Sequence, residues 1–238
     1  MTQAMTQDTS TVAAILGETA LFGPLEPADR LAVARQMLKL ELAPHETIFA
    51  RGDPGSQMYL VVEGRVRLSV FSADGRLLSF KHAGAGDVFG EIAALDGGPR
   101  SADAVALTRV VVMTLTAERL NQLIEMNPRL ARAAIACVCQ RLRETSAQAE
   151  TIALHPVETR LARYLLARVR PSAAGDARCR PALLDLSISQ TELASLIGAS
   201  RQKTNAALGL LQEAGAISRQ GRTMVCDAEK LAEIASSE

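Results

Sequence analysis

The chain has 238 residues, with 26 Lys and Arg against 26 Asp and Glu, and it is 48% hydrophobic but only 3% aromatic, with no Trp. This length and aliphatic content exclude a disordered chain and predict one large domain or, by preference, two modest ones. Cys137, Cys139, Cys179 and Cys226 form no Cys-x-x-Cys and no paired framework, so neither a disulfide scaffold nor a zinc or iron–sulfur site is indicated.

The first residues, MTQAMTQDTSTVAAILG, lack the basic flank and long apolar core of a signal peptide, and no 18 uncharged apolar residues run together. The expected location is the cytoplasm, with no membrane partner. Residues 15–40 read as short helices broken at Pro24 and Pro27, the second capped by Glu26. The period then changes to two. HETIFA, QMYLVVEGRVRLSV, RLLSFKHA and SADAVALTRVVVMTL are short, β-rich and separated by turn signals such as RGDPGS and ADGR, which predicts a sandwich or barrel.

Thr116 can cap the helix AERLNQLIEMNP, and Pro128 opens a long helix at its first turn, where a missing amide costs nothing. Ala131, Ile135, Val138, Leu142, Thr145, Ala149 and Ile152 step by alternating fours and threes, the seam of a coiled coil about 25 residues long. The seam predicts a homodimer through residues 128–152; the alternative is a stripe packed on the chain's own barrel. A hinge is expected near Ala147 to Pro156, followed by a helix in ETRLARYLLARV and a turn-rich connector.

In the last third, Ser189 with Glu192 makes a capping box, Leu193, Ala194 and Ile197 form an inner face, and Gly198 ends the helix. Ser200 can cap a second helix to about Glu213 that exposes Arg201, Gln202, Lys203 and Asn205. AISRQGRTMVCD then alternates about Gln220-Gly221, a hairpin with Arg219 and Arg222 at its tip. Helix, turn, helix and wing in this order predict double-stranded DNA as a partner, contacted by these six side chains with Ser189, Gln190 and Ser200. From Arg160 to Arg222, ten basic residues face four acids, so a basic region exists on a chain of zero net charge.

The remaining informative stretch is FGEIAALDGGPRSADAVAL, which sets Glu91 nine residues before Arg100 among glycines and small apolar residues. A phosphodiester anion needs a cation and amide donors. Arg100 supplies a planar fork, a short helix starting near Ile92 supplies free N–H groups, and glycines at 84, 86, 90, 97 and 98 permit close approach. The competing explanation is a surface Arg100–Glu91 salt bridge.

Barrel, long helix and winged helix-turn-helix in this order resemble the cyclic AMP receptor protein and fumarate–nitrate reduction regulator family, from about Leu21 to Val225. The resemblance implies an α+β fold: a β-sandwich or jelly-roll cyclic-nucleotide-binding domain over 15–127, a dimerisation helix over 128–152 and a winged helix-turn-helix domain over 153–238. It implies that Gly90, Glu91, Ile92, Ala93, Arg100 and Ser101 form a phosphate-binding cassette. There Glu91 would accept the ribose 2′-hydroxyl hydrogen bond, and Arg100, with Ser101 beside it, would hold the cyclic phosphate. RLRETS resembles the family segment in which Thr145 and Ser146 would meet the base, one from each protomer. Cyclic AMP is favoured over cyclic GMP as allosteric effector, with no metal. Gln202 stands where the best-known member has Glu and Ala206 where it has Arg, so the operator should differ from that member's. The connector RVRPSAAGDARCR is a candidate surface for RNA polymerase.

Other classes are disfavoured on residues. His45, His82 and His155 are isolated, without the His-x-His of a metal cupin enzyme. The cysteines have no cluster spacing, and a lone His82 is a poor case for haem. With no nucleophile–base pair or carboxylate dyad, the chain reads as a non-enzyme. A DNA-binding dimer without an effector stays open.

Overall fold

The computed structural model describes residues 2–169, 182–185, 188–220 and 223–236. They divide into two compact units, one of residues 1–70 and 80–145, the other of residues 71–79 and 146–238.

The first unit opens with α1 (Thr2–Glu18) and α2 (Pro27–Ala34), so the leading helix reaches well before residue 15. Glu26 occupies the N-cap of α2 but makes no side-chain cap. Its carboxylate is too long to fold back on the amides as Ser or Asp does, and it pairs with Arg129 at 2.5 Å instead. The strands are β1 (Leu38–Leu42), β2 (Thr47–Phe49), β3 (Gln57–Glu63), β4 (Val66–Phe71), β5 (Leu77–Ala83) and β6 (Val88–Phe89). After them come α3 (Glu91–Asp96), β7 (Asp103–Ala106), β8 (Val110–Thr116), α4 (Ala117–Met126) and α5 (Pro128–Leu154). They form two four-stranded sheets, ordered β1-β8-β3-β6 and β2-β7-β4-β5. β1 falls where a helix was expected, and the two-residue β6 is too short to show in a sequence pattern.

β3 explains why its segment reads as a nearly unbroken apolar run. Met58 and Leu60 turn to a helical cluster with Phe22, Leu120 and Leu130, while Tyr59 and Val61 turn to the sheet interior with Phe89 and Val112. Thr116 caps α4 by accepting from the Arg119 amide. On α5, Leu130, Ala133, Ala134 and Cys137 are buried, but Ile135 (65% exposed), Val138 and Leu142 (67%) face outward. The seam is therefore not the stripe that covers the sheets.

In the second unit α5 continues unbroken through the expected hinge to Leu154, leaving only His155 and Pro156 before α6 (Val157–Leu166). β9 (Ala182–Asp185), α7 (Gln190–Leu196), α8 (Arg201–Glu213), β10 (Ile217–Gln220), β11 (Thr223–Cys226) and α9 (Ala228–Ser236) complete it. The expected two-stranded wing is a three-stranded sheet, β10-β11-β9, because Ala182 to Asp185 pair with β11. Leu161, Leu165, Leu193, Leu211, Met224 and Leu231 form its core. Gly198, at φ 65°, makes the turn between α7 and α8, and a Cβ there would come within 2.9 Å of Ile152 Cδ1. Ile152, counted with the seam, is thus half-buried against this turn. Most of the connector proposed for RNA polymerase, with Cys179, lies outside the described residues.

Candidate functional site

In the first unit β6 delivers Phe89 and Gly90 to the start of α3, and the chain returns to Arg100 just before β7. Two backbone bonds anchor the return, Arg100 N–H to the Asp53 carbonyl and Gly52 N–H to the Arg100 carbonyl, each 2.9 Å. The Arg100 side chain turns inward and is only 4% exposed. Its Cζ lies 4.2 Å from the ring centroid of Phe49 and 5.6 Å from that of Tyr59. Nη1 donates to the Gly90 carbonyl at 2.9 Å, while Nε is buried with no acceptor.

Burial lowers the Arg100 pKa from its ordinary value, though Tyr59, then Asp53 and Glu91, act against this, and guanidinium basicity keeps the group charged. Enclosing a charge without an ion-pair partner costs several kcal/mol. A desolvated cation–π contact returns about 2 kcal/mol, so an incoming anion has strain to relieve. Gly90, at φ 73°, is required here because a Cβ would meet Arg100 Nη1 at 2.8 Å.

Glu91 does not pair with Arg100. Also 4% exposed, it accepts from Arg141 Nε at 3.0 Å, and Arg141 Nη2 donates to the Val88 carbonyl at 3.0 Å. Arg141 comes from α5, so that helix is wired to the first residue of α3. The surface salt-bridge explanation is overturned on both counts. Of the other expected ligand residues, Ala93 is buried, whereas Ile92 and Ser101 are exposed. Thr145 and Ser146 lie exposed one turn beyond Arg141, and it is Arg141 that reaches the cassette.

In the second unit the polar side chains sit as a helix-turn-helix requires. Ser189 and Glu192 close a reciprocal capping box on α7, and the Ser200 hydroxyl accepts from Lys203 N–H on α8. α8 buries Thr204, Ala207, Leu208 and Leu211 while Arg201, Gln202, Lys203 and Asn205 are exposed on its opposite side. Ser189, Ser200 and Arg219 are also exposed and Gln190 is half-buried; Arg222 lies outside the described residues.

Sequence reading missed Phe49, Tyr59 and the role of Arg141. Arg141 stood in the quoted RLRETS, but its partner is fifty residues away. The rings had a fainter signal: the chain has only five Phe and two Tyr, so any cluster of them is notable. Among the described residues no three His, Cys, Asp or Glu gather to hold a metal, and no helix is long and apolar enough to cross a membrane.

With this geometry in place, the comparisons are specific. The family model for the cyclic nucleotide-binding domain matches residues 39–127, and that for the Crp-like helix-turn-helix domain matches residues 159–234. The Cyclic AMP receptor protein of Thermus thermophilus is 32% identical over 217 residues, spanning 90% of this chain and 96% of that protein. The CRP-like cAMP-activated global transcriptional regulator of Mycobacterium tuberculosis is 29% identical over 219 residues, 92% of this chain and 97% of the relative. Among solved structures, the c-di-GMP responsive global regulator CLP of Xanthomonas campestris matches at TM-score 0.66 and 26% identity, over 81% of this chain and 94% of that one.

Proposed function

The chain belongs to the cyclic AMP receptor protein and fumarate–nitrate reduction regulator family of transcription regulators, and from that premise we propose that it is a cytoplasmic homodimer whose binding to a two-fold-related operator is controlled by cyclic AMP. The observation that carries the effector reading is Arg100, a buried guanidinium with one carbonyl partner, two rings and an unused Nε. A cyclic phosphate supplies the missing charge and acceptors, with the Ser101 hydroxyl exposed beside it.

The same site suggests how occupancy reaches the helix. A ribose hydroxyl donating to Glu91 shares a carboxylate that Arg141 now holds, so the ligand acts on the α5 side chain through a common acceptor. Thr145 and Ser146, exposed on the next turn, are available to the base of a ligand held by either protomer. Ile135, Val138 and Leu142 provide the apolar stripe for pairing two copies of α5. The dimer would then place two α8 helices roughly 34 Å apart in successive major grooves, Arg201, Gln202 and Asn205 toward bases, and Lys203 and Arg219 toward phosphates.

Calorimetric titration with cyclic AMP and cyclic GMP tests the pocket, and operator binding with and without nucleotide tests the coupling. Tighter binding of cyclic AMP, and a rise in DNA affinity on its addition, are expected. Heat from neither nucleotide would leave a DNA-binding protein with another effector or none. Cyclic di-GMP is the next ligand to titrate, since the Xanthomonas campestris relative is described as responding to it.

A further inference from the structure

In a chain with five Phe, two Tyr and no Trp, aliphatic side chains are the ordinary core filler, yet three rings cluster together and two of them lie against one guanidinium. Phe49 comes from β2, Tyr59 from β3 and Phe89 from β6. Tyr59 and Phe89 stack at 4.9 Å with planes 11° apart, and Phe49 tilts against both, at 5.7 and 6.0 Å. The stack fixes Tyr59, and Arg100 lies against the two rings nearest it, Phe49 at 4.2 Å and Tyr59 at 5.6 Å.

An arginine can be held in two ways. A carboxylate fixes it through its N–H edge, consuming the donors a phosphate needs and cancelling the charge. A ring holds it through the flat face, attracting the cation while leaving every N–H free. Arg100 is held in the second way. Its edge donates to the Gly90 carbonyl through Nη1 and interacts with the Tyr59 hydroxyl, and Nε stays without an acceptor.

We propose that Phe49 and Tyr59 are positioning residues for the effector's phosphodiester: by clasping the face of the Arg100 guanidinium they keep it fixed, with its Nε–H undonated, until the anion arrives. The inference rests on the cyclic-nucleotide reading of the site and adds what sets the affinity there. Phe49 is the more informative position, because it is only half-buried, whereas Tyr59 is part of the buried stack.

The test compares wild type, Phe49→Leu and Phe49→Tyr as full-length protein. Cyclic AMP titrated by calorimetry is expected to bind Phe49→Leu roughly five- to tenfold more weakly and Phe49→Tyr within about twofold of wild type. The Arg100 Nε–H resonance of the unliganded protein, displaced by the rings in wild type and Phe49→Tyr, is expected to move toward the free-arginine position in Phe49→Leu. Thermal unfolding confirms that each variant is folded. If wild type and Phe49→Leu bind with equal affinity, or the Nε resonance is unmoved, the inference is overturned and the effector reading stands. If wild type binds no cyclic nucleotide, that reading fails and takes the inference with it.

Discussion

In the second unit Arg160 donates Nε to the His155 carbonyl at 2.7 Å, Nη1 to that of Gly198 at 3.2 Å and Nη2 to that of Ile152. In the first unit Arg100 donates one bond to Gly90 and meets rings elsewhere. Arg100 is buried and Arg160 half-buried, and they differ further in what their donors touch. Arg160 uses its fork to tie the end of α5 to the α7–α8 turn, so it is spent on structure. Arg100 is enclosed at a cost and keeps capacity for something the chain does not supply. Hydrogen-bond satisfaction therefore separates a structural arginine from a binding one.

Removing each arginine breaks the comparison most directly. Arg100→Ala is expected to weaken cyclic AMP binding by about a hundredfold or more by calorimetry, a loss of roughly 3 kcal/mol. It should lower the unfolding midpoint of the unliganded protein little, because an uncompensated charge leaves with it. Arg160→Ala should do the reverse, costing the second unit about 2 to 3 kcal/mol by denaturant unfolding, since three carbonyls lose a charged donor. Nucleotide affinity should stay near wild type. Equal effects of both variants on nucleotide affinity would erase the distinction.

The left-handed glycines sharpen it at smaller scale. Gly90→Ala pushes a methyl into Arg100 Nη1 and should weaken cyclic AMP binding by about tenfold, whereas Gly198→Ala pushes one into Ile152 and should cost about 1 to 2 kcal/mol of stability without changing that affinity. The smallest expected effect is Ser189→Ala, which opens the capping box of α7 for about 1 kcal/mol, read as a lower unfolding midpoint with nucleotide titration unaltered.

Whatever depended on neighbours a few residues apart was legible. Thr116, Ser189 and Ser200 cap the helices assigned to them because a cap is a bond between a side chain and an amide three positions on. The alternating runs became strands, and the split of α8 into Thr204, Ala207, Leu208 and Leu211 inside and Arg201, Gln202, Lys203 and Asn205 outside follows its period. Glu26 failed as a cap because a distant arginine competed for it, and β9 was missed because its reason to be extended is a partner strand forty residues later.

The caps, the alternating strand runs, the glycine-rich Glu91 to Arg100 stretch and the period of the α5 seam were thus set by the sequence alone, since local propensity and periodicity need no knowledge of the rest of the chain. Only the tertiary structure decided that Arg100 sits against Phe49 and Tyr59 and that Glu91 belongs to Arg141. The choice of partner for a charge depends on which strands and helices lie side by side, and on how much water they exclude. Sheet pairing brings residues from β2, β3, β6 and α5 to one point, and no spacing along the chain encodes that meeting.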